Sequence, residues 1–465
     1  MSIPTRSKMT FAALLILLAA GSPLHADDGD GDPTFGDSGL LAVGWNGGAY
    51  IARGRAAASL ADGSLLVAGE VATGVGNGAF GIVKLGPTGL LNIGFGTGGF
   101  TRFAFSDDVN LINNLGDVVE LPGGSILLAG STQVDGPVVP EDLIYVPAVA
   151  KLTSDGDLDG SFGTGGRKIV SLPWPSENIY FQRPIHQPDG KLLFAGSCSQ
   201  CPDNEAQYFP TFLRLTTEGE PDTTFSGDGW LTPASGPISN VYAWDLALDG
   251  AGRILVFGTT GTDFAVVRLT ANGVVDTSFG GGDGLVTWPK PVDATSWRFA
   301  VDANSGAIFV AWTYIAGPSS QYTAVSRLSP GGVLDPTYGG DGATEIVFGT
   351  QLWVLDLTVQ SDGKLVGVGM IRGTAGAHQN FVLVRLLADG TLDPSFDGNG
   401  VRNVEFGLPA SGDDQAVFAT LAGGRLVAVG TVFTGTPHFG VSRSVSAHIF
   451  TDGFERGSAE AWLAN

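Results

Sequence analysis

One unit recurs seven times along this chain, and that recurrence restricts the fold more than any local pattern does. The clearest copy runs from Gln360 to Gly400. It opens Gln360-Ser-Asp-Gly-Lys-Leu-Val-Gly-Val-Gly369 and continues through Phe381-Val-Leu-Val-Arg-Leu386 to the corner Leu392-Asp-Pro-Ser-Phe396. Two short apolar runs are each bounded by a turn of the Asp-Gly type, which is how strands joined by tight turns read.

The corner returns at Asp32 to Phe35, Asn92 to Phe95, Asp159 to Phe162, Asp222 to Phe225, Asp276 to Phe279, Asp335 to Tyr338 and Asp393 to Phe396. Its aromatic residues lie 54 to 67 residues apart. Two further features keep the same phase. One is a Gly-bounded apolar strand, as in Leu65 to Gly69 or Leu426 to Gly430. The other is an apolar run ending in a basic residue: Lys84, Lys151, Arg214, Arg268, Arg327, Arg385 and Arg443. The corner Asp reads as a side chain that bonds nearby backbone to set the turn, and the corner Phe as packing between repeats.

This phased pattern, from about Asp32 to Val445, resembles the delta-60 repeat family of exported bacterial proteins. The resemblance implies a propeller-like fold and supplies no catalytic residue. Each repeat provides four candidate strands: a after the corner, b before the Asp-Gly turn, c after it, and d ending at the basic residue. The expectation is an all-β chain, a single seven-bladed β-propeller of four-stranded antiparallel blades. An open β-solenoid is the runner-up. The last repeat lacks a strand after Arg443, while the N-terminus has a spare one at Leu40 to Val43. Pairing that strand with the last strand d would close the ring and hide two sheet edges.

Residues 1–26 have the layout of a signal peptide: Arg6 and Lys8, an apolar core from Phe11 to Ala20, and Leu24-His25-Ala26 before cleavage. Residues 27–31 form an acidic leader, 32–445 the propeller and 446–465 a C-terminal tail. The expected location is periplasmic, extracellular or on the cell surface. Loss of the signal changes the net charge from −22 to −24, because it removes Arg6 and Lys8 and no acid. Such a surface repels nucleic acid and anionic lipid. No membrane span is expected after cleavage, and the chain reads as a monomer.

No nucleophile elbow, phosphate loop or zinc-protease motif is present. Asp155, Asp157 and Asp159 have the spacing that opens a calcium loop, but the twelfth position is Gly166 and the stretch aligns with the ordinary corner. Calcium is therefore a weak reading, and no cofactor is expected. Cys198 and Cys201 are the only cysteines, and in an exported chain they read as a disulfide. Counting back from the b–c turn, Asp117, Arg183, Asp245 and Asp356 fall at one register, the start of strand b. They would ring the mouth of a channel, where they hold a cation or polar ligand, or else are solvated strand ends. The longest loops, 131–147, 172–181 and 197–210, belong to repeats two and three. They bring Tyr145, Trp174, Tyr180 and Tyr208 beside carboxylates, a composition suited to a glycan or protein partner.

Three functions fit this sequence. The first is a non-enzymatic scaffold that binds a protein, glycan or surface polymer. The second is a hydrolase or lyase with its site at the channel mouth. The third is a passive structural or adhesive surface protein.

Overall fold

The computed structural model describes residues 29–445, apart from 46–49, 73–77, 107–110, 137–142, 174–177, 200–207, 234, 318–319, 349–350, 373–377, 408–412 and 423. The chain is all-β, and among the described residues the one short helix is a 3-10 turn at Tyr338–Gly340. Consecutive strands pair antiparallel. Ile51–Ser59, Leu65–Ala72, Ala79–Leu85 and Phe100–Phe103 form one four-stranded sheet, and the later repeats follow the same order. Two of these four-stranded units are joined into a larger sheet by a single parallel bridge between Gln321 and Gln351. In the last unit the fourth strand comes from the N-terminus: Leu40 pairs with Ser442 and Val43 with Phe439.

The first strand of each unit is the inner one. Ile51–Ser59 packs against both Asn113–Glu120 and Gln415–Ala422, the inner strands of the second and last repeats. The sheets are held together by their second and third strands, which are apolar on both faces. Leu65, Leu66, Val67 and Ala68, for example, are all at most 3% exposed. Such continuous burial is what a sheet packed on both faces requires.

The corner and the basic end of strand d prove to be one device. In Asp393, Oδ1 accepts from Ser395 N at 3.0 Å and from the Ser395 hydroxyl at 2.7 Å, which sets the turn. Its Oδ2 accepts from Arg385 Nε at 2.8 Å. The same guanidinium lies 4.7 Å over the ring of Phe396. The arrangement repeats at Arg214 with Asp222 and Phe225, at Arg268 with Asp276 and Phe279, and at Arg327 with Asp335 and Tyr338. These arginines also reach into the following repeat, as when Arg268 Nη1 donates to Pro330 O at 2.7 Å. Where the first repeat has Lys84 in place of Arg, the corner has Asn92 in place of Asp.

Each corner aromatic is seated on a turn glycine of the next repeat. A Cβ on Gly156 would lie 2.8 Å from Phe95, one on Gly273 would lie 2.7 Å from Phe225, and one on Gly390 would lie 3.0 Å from Tyr338. Glycine is required there on two counts: the ring occupies the space, and Gly390 has φ +92°. The final aromatic, Phe396, sits on the N-terminal Gly29, where a Cβ would lie 2.8 Å from its ring. At the same joint Arg443 Nε donates to Asp32 Oδ2 at 2.7 Å, so the last strand d and the first corner form the same pair found within single repeats.

Candidate functional site

A pocket of about 410 Å³ opens where the inner strands converge. Residues of all seven repeats line it, among them Arg55, Gly116, Arg183, Trp244, Arg298, Asp356 and Val417. Two local irregularities aim these residues. The first is a bulge near the start of the inner strand, with register shifts between Gly54 and Ala56, Leu115 and Asp117, Ala243 and Asp245, Val354 and Asp356, and Ala416 and Phe418. The skipped residues Arg55, Gly116, Trp244, Leu355 and Val417 all line the pocket. A bulge inserts an unpaired residue and turns its side chain out of the pleat. The second irregularity is in repeat three, whose inner strand breaks between Asn178–Phe181 and Ile185–His186. Pro184 has no N–H to continue the ladder, and Arg183 beside it is left outside the pairing.

The register predicted from sequence holds. Asp117 lies opposite Ala129, Asp245 opposite Phe257 and Asp356 opposite Val368, which are equivalent positions of strand c. Arg298, opposite Ala311, occupies the same register in repeat five and was not legible from the turn count. Its b–c turn is one residue longer: Asp302 N bonds Ala307 O, where Gln360 N bonds Lys364 O. Phe418, opposite Val429, was displaced from the count by a shorter turn that pairs Ala422 with Arg425. Aligning strands c rather than the turns recovers both residues.

None of these charged side chains is fully exposed, and one is buried. Asp356 is 3% exposed. Its Oδ2 accepts from Arg183 Nη1 at 3.2 Å and from Ala419 N at 2.8 Å. The Arg183 guanidinium also lies 5.0 Å over Phe418. Burial works against its charge, but Asp356, Asp245 and Asp117 outweigh that and hold the guanidinium protonated more firmly than usual. Arg55 is committed to Glu70 through two contacts of 3.1 and 3.2 Å. Asp117 is drawn aside to His186 Nδ1 at 2.7 Å.

Two groups remain less committed. Arg298 donates to the carbonyls of Leu355 and Trp297 and has no carboxylate within ion-pair distance among the described residues. Burial lowers its pKa from the ordinary value. Asp245 accepts from Leu246 N at 2.9 Å, with no side-chain partner among the described residues. Burial pushes its carboxyl up, Asp356 adds to the effect, and Arg183 and Arg298 only partly offset it. The pocket thus presents an uncommitted guanidinium, a carboxyl that protonates readily and the Trp244 indole.

The aromatic residues expected in the long loops are elsewhere. Tyr145 pairs with Gln133 and does not line the pocket, while Tyr180 and Tyr208 lie in strands opposite Ser197 and Ser199. Trp174 lies outside the described residues. Cys198 is buried and disulfide-bonded, and Cys201 lies outside the described residues. Among the described residues no group of three or more His, Cys, Asp or Glu is placed to hold a metal ion. The carboxylate of Asp159, from the calcium-like spacing, accepts from the Ser161 hydroxyl at 2.6 Å instead. No helix among the described residues is long and apolar enough to cross a membrane.

Four-stranded antiparallel units, repeated corner modules and inner strands around a shared pocket are the features of a β-propeller-repeat protein. A family model described as a domain of unknown function (DUF5122) beta-propeller matches residues 187–225, 252–279 and 360–396, which supports a propeller-repeat family. No curated protein matches the sequence. Among solved structures the chain is similar to the polysaccharide lyase Uly1, at 11% identity and a TM-score of 0.50, over 84% of this chain and 90% of that one. A puromycin hydrolase is similar at 15% identity and a TM-score of 0.40, over 82% of this chain and 58% of that one. A GH93 alpha-L-arabinofuranosidase of Fusarium graminearum is similar at 14% identity and a TM-score of 0.38, over 90% of this chain and 97% of that one. At these identities the likeness to Uly1 is one of fold.

Proposed function

We propose that this chain is an exported, monomeric propeller of the delta-60 repeat kind that binds a small polar group in the pocket at the mouth of its channel. In this reading it has seven blades, and the N-terminal strand closes the ring beside the last strand d. The pairing of Leu40 to Val43 with Phe439 to Ser442 supports closure, as does the seat of Phe396 on Gly29.

One observation carries the binding role. Five of the seven repeats place a charged residue at a single inner-strand register, as Asp117, Arg183, Asp245, Arg298 and Asp356, and four of these five line the pocket. Repeats that shared only a structural role would put interchangeable apolar residues there, as Ala56 and Phe418 do. Arg183 with Asp356 and Arg55 with Glu70 satisfy one another, leaving a donor on Arg298 and an acceptor or donor on Asp245. A ligand with neighbouring hydroxyls satisfies both, and a pocket of about 410 Å³ has room for a group the size of a sugar residue. Titration calorimetry with sugars, polyols and amino acids tests this, comparing wild type with Asp245→Asn and Arg298→Met. Binding lost in both variants, with the fold intact, supports the site. Equal binding by both variants refutes it.

The second reading is a hydrolase or lyase at the same pocket. It is favoured by the raised carboxyl of Asp245, which suits a proton donor. Turnover of a bound sugar derivative that disappears in Asp245→Asn would establish it. Binding without turnover would leave the scaffold role.

A further inference from the structure

The pocket is continuous with a run of aromatic rings that no loop supplies. Trp244, at the bulge of repeat four, lines the pocket. Its indole Nε1 donates to Thr259 Oγ1 at 3.0 Å, which fixes the ring. Tyr242 lies 4.4 Å from it at 37° between planes, and Trp297 of the next repeat lies 5.4 Å away at 64°. Lys290 Nζ lies 5.7 Å over the Trp297 ring. Through buried Phe264, at 6.0 Å from Trp297 and 5.6 Å from Trp288, the rings reach the outermost strand of the sheet, Leu285–Pro289. Tyr242, Trp244, Trp288 and Trp297 are each only partly buried. Four of the chain's nine tryptophans, Trp244, Trp288, Trp297 and Trp312, fall in this short stretch of two repeats.

Trp244, Trp288 and Trp297 pack with one side on the buried cluster around Phe257, Phe264 and Trp312 and leave part of each ring open, and Trp244 does so beside the polar pocket. Sugar rings have an apolar C–H face that stacks on indole and phenol, and hydroxyl edges that bond carboxylates and guanidinium groups. The pocket supplies the second kind of contact and the aromatic row the first. A protein partner would need a larger continuous apolar surface to bind stably. The row begins inside the pocket and leads outward, so a bound sugar residue in the pocket has a surface along which its neighbours can lie.

Resting on the pocket reading above, we infer that the ligand is a polysaccharide chain, one residue of which occupies the channel pocket while adjoining residues lie along Tyr242, Trp244 and Trp297. Arg298 and Lys290 along this path give carboxylated chains an added attraction over neutral ones.

The experiment measures affinity for short and long members of two oligosaccharide series, a neutral glucan series and a carboxylated oligogalacturonide series. Wild type, Trp297→Ala, Trp297→Tyr and Asp245→Asn are compared, each first checked for a cooperative melting transition no lower than that of wild type. Affinity in wild type is expected to rise with chain length. Trp297→Ala should lose about tenfold for long chains and much less for short ones, with Trp297→Tyr restoring most of the loss. Asp245→Asn should weaken every length. Affinity independent of chain length, or a Trp297→Ala curve that matches wild type, overturns the aromatic path while leaving the pocket standing. Unchanged binding by Asp245→Asn overturns the pocket itself. Binding of neither series, with capture of a protein instead, overturns the polysaccharide assignment.

Discussion

Arg183 and Asp356 are 173 residues apart in sequence and 3.2 Å apart in space. They come from the third and sixth repeats, so their ion pair spans the space between inner strands that are not neighbours in the chain. Asp356 has little access to solvent, and removing Arg183 leaves its carboxylate without its ion-pair partner. Arg183→Met is expected to cost about 3 kcal/mol, the usual penalty for breaking a buried pair. Denaturant unfolding at neutral pH measures it.

Asp245 is the opposite case. Its folded-state pKa is raised above 3.8, so its ionised form is disfavoured in the folded protein. Its contribution to stability is present at acid pH and is lost as pH rises through the folded-state pKa. Asp245→Asn removes that loss. The variant is expected to melt higher than wild type at neutral pH, with the difference shrinking to nothing as pH falls below 3.8. A difference that grows on acidification contradicts the assignment.

The corner aspartates give the chain its acid limit. Asp222, Asp335 and Asp393 are lowered from 3.8 to about 2. For Asp393, burial opposes the shift, and the hydroxyl of Ser395, Lys364 and Arg385 overcome it. Lowered carboxyls stabilise the fold above 3.8, and that contribution is lost as pH falls towards about 2. Acid unfolding is therefore expected in that window. Asp393→Ala should unfold at a higher pH and lose about 3 kcal/mol at neutral pH, because the buried Arg385 loses the carboxylate that balances its charge.

Three corners depart from the repeat at a cost. The residue after the corner aromatic adopts φ near +50 to +70°, as at Gly36 (φ 53°) and Gly339 (φ 68°), but Ser226 (φ 53°) and Asp397 (φ 49°) also hold this conformation. Ser226→Gly and Asp397→Gly are each expected to add about 1 kcal/mol. Tyr338 puts a hydroxyl where other repeats have Phe, and that oxygen is buried with no hydrogen-bond partner among the described residues. Tyr338→Phe should add about 1 kcal/mol. Chemical denaturation of the single and triple variants will show whether the gains occur and whether they add.

Deleting residues 27–45 takes away both Asp32 and the strand Leu40–Val43. It exposes the edge of the strand Pro437–Ser444 and leaves buried Arg443 unpaired. Calorimetry of the truncated chain is expected to show a melting transition many degrees lower. An unchanged transition would mean that the N-terminal strand does not stabilise the last sheet.

The scaffold was largely legible because every element of the repeat answers a local demand: a turn needs its Asp or Gly, and a strand buried on both faces needs an apolar run. The start of strand b was legible where turns had equal length, which found Asp117, Arg183, Asp245 and Asp356. It failed at Arg298, where one inserted turn residue shifts the count. The link between Arg385 and Asp393 was not legible: Lys84 comes with Asn92, but Lys151 comes with Asp159, so the two positions do not change together. The aromatic path was missed for a different reason. Tyr242, Trp244 and Trp297 belong to strands, where aromatics ordinarily signal packing, and only the bulge at Trp244 turns that ring towards the pocket.

The pair of Arg443 with Asp32 has the same chemistry as the pair of Arg385 with Asp393, but its partners are 411 residues apart rather than 8. Bringing chain ends together costs about 0.6 kcal/mol for each doubling of the intervening length, so this joint carries an entropic handicap of about 3 kcal/mol relative to its equivalents. The six other aromatic seats can each form as soon as the next repeat has emerged, whereas this joint must wait for the whole chain. It is therefore the last to form and the first to open. A pull on the N-terminus acts directly on it, peeling one strand away while the remaining sheets keep their contacts. The mechanical strength of the molecule is set by this joint, so an attachment at its N-terminus would load the molecule at its weakest point.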